Sequence, residues 1–470
     1  MRRFPLIALL LWLLPLGGGV AGAADYGRLI GGWESSALWA REGLFANNYL
    51  KLDYRLGRFS AGLQAEYYPS PLPGFDRQLK GFGLPGKYIG WTDSCWSLTA
   101  GDFHEQFGTG VLFRSWEDRD LGWNNSLGGG RLSLHTKDNL LSLKVLGGWR
   151  RQGLRYGDVR MAGSEVALYW KGLSLQGSAV LRQGGSGPSW GWSALAAWEA
   201  GGFSSRAEWV SRQGGANAQT LEAGYAAGRF SSTVTLRRLR KMTDPTGLNY
   251  LPSLSMQQSY MLSALNPNTP FAEGEAGGTA DLYYRLKTWK FHVNGSYILA
   301  LPEALKRHDV LRLTYRELNL QVEKRWNSRI KTIAFVSIQE QSPSHGERNA
   351  TECQNVFVLD GIFRLTSRLS LRTCGQYLYS RELTRDWMGA VVELSSTRGW
   401  GLHVQDMYNH GSTREHYYEG GVSWTRGSFK ATLSYGHQRA GLVCSGGVCR
   451  WQPEYTGGLL RLNYHFGAGR

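Results

Sequence analysis

Tyr49-Leu50-Lys51-Leu52-Asp53-Tyr54-Arg55-Leu56 alternates residue by residue, with Leu50, Leu52, Tyr54 and Leu56 on one side and Tyr49, Lys51, Asp53 and Arg55 on the other. A period of two places one set on each face of a β-strand, so this stretch reads as a strand with one apolar and one polar face. Gly57-Arg58 ends it, and the pattern starts again. It returns in Leu132 and Leu134 against Arg131, Ser133 and His135, and in Leu282, Tyr284 and Leu286 against Asp281, Tyr283 and Arg285. Leu318, Leu320 and Val322 alternate in the same way with Asn319, Gln321 and Glu323. A soluble β-sandwich also alternates, so the connections between strands have to decide the class.

Short and long connections take turns along the chain. Short ones fall near Gly57-Arg58, Asp93-Ser94, Asp138, Lys171-Gly172, Gly201-Gly202, Gly228-Arg229, Thr288, Asn327-Ser328, Thr366 to Arg368, Arg398-Gly399 and Arg426-Gly427. Longer polar loops lie near residues 41–46, 69–86, 105–126, 151–157, 184–189, 213–218, 241–277, 300–309, 342–352, 382–385, 411–415 and 440–453. These connections delimit twenty-four strands. Sandwiches and propellers have no reason to sort loops by side, whereas membrane barrels combine even strand numbers, short turns at one end and longer loops at the other. The fold read from the residues is therefore an all-β, transmembrane antiparallel β-barrel of about 24 strands with inward-folded loops. Trp149, Trp170, Trp198, Trp289, Trp326, Trp400 and Trp424, near strand ends, suit the aromatic girdles of such a barrel.

Composition agrees. The chain has 470 residues, 62 of them Gly, with 13% aromatic and 19% charged residues. Beyond the first two dozen residues no apolar run approaches the ~20 residues that a spanning helix needs. The formal charge of +16 is spread along the chain, with no basic block of the kind nucleic-acid binding requires, so nucleic acid is excluded as a partner. Residues 1–23 read as a secretory signal peptide: Arg2 and Arg3, an apolar core from Phe4 to Leu16, and Ala21-Gly22-Ala23 before the cut. Residues 24–470 are then one barrel, exported to an oxidising compartment and placed in the bacterial outer membrane, with its lipid as the first partner.

The least generic stretch runs Gly101-Asp102-Phe103-His104-Glu105-Gln106-Phe107-Gly108-Thr109-Gly110-Val111-Leu112-Phe113-Arg114-Ser115-Trp116-Glu117-Asp118-Arg119-Asp120-Leu121-Gly122-Trp123-Asn124-Asn125-Ser126. It resembles the block G-[DN]-F-[YH]-E-Q-F-G-x-G-L, with a following Arg, acidic stretch and L-G-x-[DN]-N-S, of a family of Gram-negative outer-membrane barrel proteins of unassigned function. The hairpin Gly441 to Trp451, with its C-x4-C, looks like the closing segment of the same family. The resemblance implies a fold and a location and supplies no activity.

The residues themselves say more. Asp102, Glu105, Arg114, Trp116, Glu117, Asp118, Arg119 and Asp120 crowd carboxylates, guanidiniums and an indole into one segment. Aromatics need burial, and charges buried with them need partners, so segment 105–126 is expected inside the lumen as a pore constriction or plug, with Arg114 and Arg119 facing acidic residues. Segment 241–277, with Pro245, Pro252, Pro267 and Pro270 among apolar residues, is the second candidate to fill the lumen. Arg55, Arg131, Arg285, Arg325, Arg372 and Arg461 are expected to point inward and to favour anions.

Cys444 and Cys449, separated by Ser445-Gly446-Gly447-Val448, are expected to form a disulfide in a loop on the outer side, while alternation puts Cys353 and Cys374 on opposite faces. Covalent haem is excluded because C-x-x-C-H is missing, and neither a hydrolase elbow nor a zinc motif occurs. His403, His410 and His416 read as solvated loop histidines, and neither a cofactor nor a metal is expected. The expected function is a non-enzymatic, passive or gated channel for small solutes. A scaffold or receptor with periplasmic or surface protein partners, or the barrel sheath of a multi-protein conduit, is the alternative, and an outer-membrane hydrolase the second.

Overall fold

A computed structural model describes residues 27–184, 187–256, 258–307, 312–342, 351–382, 384–445 and 448–468. The expected signal peptide, residues 1–23, lies outside the described residues. One sheet of 24 strands, antiparallel throughout, accounts for most of the rest. The first strand, Arg28–Ala40, pairs with its sequence neighbour Gly43–Leu56 on one side and with the last strand, Tyr455–Ala468, on the other, so the sheet closes on itself. Closure matters because an open edge would leave backbone N–H and C=O groups without partners in a lipid surround.

Period two decides what each face carries. On the strand Gly274–Leu286, Leu282, Tyr284 and Leu286 project outward, exposed by 39% to 44%. Asp281 on the same strand turns inward to His292 at 2.9 Å and Asn294 at 3.0 Å. Likewise Leu318 and Leu320 face out while Glu317 and Asn319 are buried inside. An apolar ring of this extent around the whole wall far exceeds what a soluble protein leaves in water, and it identifies the outer face as lipid-facing. Near the turn end, aromatics pair along the wall, with ring centroids 5.6 Å apart for Trp198 and Phe203 and 6.0 Å for Trp400 and Trp424. Among the described residues no helix is long and apolar enough to cross a membrane.

The eleven short connections gather at one end of the barrel. The other end is tighter than the sequence expectation. Loops expected near 41–46, 151–157 and 184–189 shrink, because Ala40 pairs with Gly43, Gln152 with Arg155 and Gly184 with Gly187. Gly43 (φ 136°) and Gly153 (φ 60°) take the positive φ that so tight a reversal needs, and the flanking polar residues continue the strands instead of forming loops. Twenty-four strands spaced ~4.8 Å apart and tilted by ~40° enclose a cylinder roughly 45 Å wide, which leaves a large interior to be filled or left open.

Candidate functional site

The segment after the strand Trp96–Phe103 folds against the inner wall as two short ribbons. Gln106–Phe107 pairs with Phe113–Arg114, and Glu117–Asp118 pairs with Trp123–Asn124. Gly108 (φ 51°) and Gly110 (φ 91°) reverse the chain at the tip of the first ribbon. Two inward carboxylates hold that tip: Gly108 N donates to Glu165 at 2.9 Å, and Thr109 donates to Glu208 through its backbone N, 3.2 Å away, and its hydroxyl. Phe107, Leu112 and Phe113 are fully buried among Leu146, Met161, Val180, Val210 and Leu239, which point inward from five strands. Burying each of these large side chains stabilises the segment by about 1.5–3 kcal/mol, enough to keep it on the wall.

Its charges are paired across the lumen. Glu105 accepts from Arg131 at 3.1 Å and lies 3.3 Å from Lys144, which also meets Glu165 at 3.3 Å. Arg119 bonds Glu34 at 2.6 Å, lies 3.5 Å from Glu117 and sits over the Tyr49 ring. Burial by itself would push the Glu117 carboxyl up, but Arg119 and a 2.7 Å hydrogen bond from Gln64 hold it below the ordinary glutamate value. The His104 ring is exposed to the interior of the barrel, where loss of bulk solvent lowers the imidazole, and its Nε2 is 3.3 Å from Asn124 Oδ1.

Four of the residues singled out in the sequence stand elsewhere than expected. Arg114 faces no acidic residue among those described; its guanidinium lies between the rings of Trp116 (5.2 Å) and Tyr250 (4.0 Å). Asp118 shapes its own turn by accepting from Leu121 N, and Asp120 is exposed. Asp102 is not in the lumen. It sits opposite Gly128 on the outer face, where Lys87 N and the Tyr156 hydroxyl each donate to it at 2.9 Å. The Tyr156 ring lies across Gly128 so closely that a side chain there would collide with it.

The connection 241–273 crosses the lumen. It starts at Asp244, whose fully buried side chain is 3.2 Å from Arg182 and 3.5 Å from Arg212. It is laced to the first segment by Arg114 N donating to Leu248 O (2.8 Å), Tyr250 N to Gly110 O (2.9 Å) and Asn125 Nδ2 to Gly247 O (2.5 Å). Farther on it reaches the other side of the wall. Met256 N donates to Glu317, Leu262 N donates to Gln376, and Tyr260 packs on Phe335. Asp244, Glu165, Glu208 and Glu317 were missed as site residues. Alternation places the three glutamates on the inner face, but their partners lie 57 to 99 residues away in chain for Glu165 and Glu208, beyond the reach of any local pattern.

A third element closes over the first. Gly441–Ser445 and Val448–Gln452 form a hairpin with Cys444 bonded to Cys449, and Arg450 donates to Asp120 O at 2.9 Å and Pro73 O at 3.2 Å while covering the Phe75 ring. Cys95, Cys353 and Cys374 are free, and among the described residues no group of three His, Cys, Asp or Glu is arranged to hold a metal. His403 pairs with Glu419, and His416 with Asp406. Toward the turn end, beneath the first segment, a cavity of about 670 Å³ is lined by Lys51, Asp53, Arg55, Tyr88, His104 and Arg131. The Tyr88 hydroxyl donates to Asp53 there at 2.8 Å, and Arg55 has no carboxylate partner among the described residues.

Residues 35–466 match the family of unknown function DUF6029, and the chain belongs to that family. No curated protein matches it in sequence. Among solved structures it is similar to the translocation pore of the P pilus usher PapC, at 12% identity over 94% of this chain and all of that one, with a TM-score of 0.47. It is also similar to the copper transporter OprC, at 11% identity over 95% of this chain and 81% of that one (TM-score 0.47). The siderophore receptor PirA from Pseudomonas aeruginosa is a third, at 11% identity over 94% and 81% (TM-score 0.44).

Proposed function

We propose that this protein is a bacterial outer-membrane channel for small solutes, with its short turns in the periplasm and its long loops outside, and with segments 105–126 and 241–273 together setting the constriction. The observation that carries this reading is how the two segments are held. Ion pairs and single hydrogen bonds to the wall, such as Glu105 with Arg131 and Asp244 with Arg182, fix them in place. A polar cavity of about 670 Å³ remains between the first segment and the wall, open to charged and hydroxylated solutes. Single-channel recording of the purified full-length barrel in planar bilayers tests it. Discrete conductance steps are expected, and a barrel that stays silent at all voltages would exclude a channel.

A second reading has its own support. The lacing of both segments to each other, and of the first to the Arg450 hairpin, favours a fixed plug, and hence a receptor or scaffold that holds a protein partner instead of passing solutes. Silent bilayers together with a partner recovered by crosslinking in intact cells would favour it.

A further inference from the structure

The two ends of the barrel differ in charge. The eleven short turns carry eight lysines or arginines, among them Arg58, Lys171, Lys287 and Arg329, against only Asp93 and Asp138. Asp93 is already paired with Arg58 at 2.5 Å. At this end cations of the turns and of the adjoining strand ends lean on the aromatics of the outer wall. Lys171 Nζ is 5.2 Å from the Trp170 ring, and Lys324 Nζ is 4.2 Å from the Trp289 ring and 5.6 Å from that of Trp326.

The Lys324 group is the most complete. Trp289 pairs in register with Lys324, and both lie on the outward face that exposes Leu318 and Leu320. Lys324 Nζ donates to Thr288 Oγ1 at 2.9 Å and meets no carboxylate among the described residues. Its acidic neighbour Glu323 faces the other way, where Lys290 (2.9 Å) and Lys331 (3.5 Å) neutralise it. The Trp326 indole N–H is already donated to Thr332. What remains is an ammonium with N–H groups to spare, floored by two indoles, at the height where a membrane places its headgroups.

We propose that Thr288, Trp289, Lys324 and Trp326 form a binding site for the phosphate of an anionic phospholipid in the leaflet that the turns reach. The inference rests on the reading that the barrel spans a membrane. An interfacial cation with no counter-ion on the protein takes one from the lipid, and the two indoles hold the glycerol and upper acyl region beside it. A protein docking from the aqueous side meets the turn tips first; Lys324 lies on the wall itself, one residue inside the strand end.

The test uses the full barrel in phosphatidylcholine vesicles doped with a photoreactive phosphatidylglycerol or, separately, a photoreactive phosphatidylcholine. Crosslinks to residues 287–291 and 322–329 are quantified by peptide mass spectrometry. Phosphatidylglycerol is expected to label these peptides about fivefold more than phosphatidylcholine, the preference one interfacial lysine supplies. Lys324→Gln should erase the difference and Lys324→Arg retain it. Equal labelling by the two lipids, or a preference that Lys324→Gln leaves intact, would overturn the site while a normally inserted barrel kept the membrane reading. Failure to insert into any vesicle would remove both. Soluble polyglutamate bound in a Lys324-dependent way, without a headgroup preference, would assign the surface to an acidic protein and overturn the proposal as well.

Discussion

Asp244 shows how much one buried carboxylate organises. Burial alone would push its carboxyl up, but Arg182 and Arg212, with Thr246, hold it below the ordinary aspartate value. Asp244→Asn leaves two buried guanidiniums facing a neutral amide, and removing one partner of such a cluster costs about 3–5 kcal/mol. We expect limited proteolysis to cut residues 241–251 at least about tenfold faster in that variant; unchanged cleavage would show that the apolar contacts suffice. Because the folded-state pKa is depressed, the stabilisation is present above the ordinary aspartate value of ~3.9 and is lost as pH falls through the lowered one. Wild-type cleavage should therefore stay flat from pH ~7 to ~5 and rise only below ~4, a rise that Asp244→Asn lacks. Asp102 marks the limit of reading single residues. It was expected at the constriction and stands on the outer face, two residues along the strand from Ala100, where the Tyr156 hydroxyl that makes burial tolerable comes from 54 residues away.

At the scale of elements, the two lumen segments are coupled at one end and independent at the other. Residues 244–251 bond directly to the first segment, whereas Tyr260, Leu262 and Leu265 pack with Phe335, Val356 and Leu378 on another part of the wall. Deleting 105–126 should therefore raise conductance and expose 244–251 to protease while leaving 260–265 protected; equal exposure of both would mean the crossing folds as one unit. The closing hairpin has its own test. Thiol labelling of unreduced, denatured protein is expected to find three free cysteines, Cys95, Cys353 and Cys374, and finding five would show that Cys444 and Cys449 stay reduced. The short ring stabilises by only about 2 kcal/mol on chain-entropy grounds, so its loss should loosen the grip of Arg450 on Asp120 without unfolding the barrel. Strands and turns were legible because period two and turn glycines are local signals. Loop lengths at 41–42 and 153–154 were not, because a polar residue beyond the hydrocarbon continues a strand or leaves it with the same composition. The aromatic clasp on Arg114 was hidden for another reason: a guanidinium between carboxylates in sequence reads as half of an ion pair until Tyr250 is brought beside it.

Over the whole molecule, the formal charge of +16 is not the charge that a solute meets. The segments and the opposing wall neutralise part of it. Arg131 is taken by Glu105, and Arg372 by Asp360 at 2.9 Å and Glu393 at 3.3 Å, so neither is free to attract an anion. Arg55, Arg285, Arg325 and Arg461 have no ion pair among the described residues, and each is exposed on an inward register. Three of them, Arg55, Arg285 and Arg325, stand at the last or next-to-last position of strands that run toward the short turns, so the uncompensated charge collects at the short-turn mouth. Guanidiniums keep their charge at every working pH, and in a wide, water-filled mouth they raise the local anion concentration without binding any one anion tightly. The expected result is a modest anion preference, seen as a shifted reversal potential in a salt gradient. It should weaken at high ionic strength, where the Debye length falls to ~3 Å at 1 M. Replacing Arg55, Arg285 and Arg325 together by Gln should abolish the preference, whereas Arg372→Gln should leave it in place and unbalance Asp360 instead. A cation preference in the wild-type barrel would place the selective point higher, among Glu105, Glu117 and Glu165, and would make the arginines of the short-turn mouth an entrance that the constriction overrides.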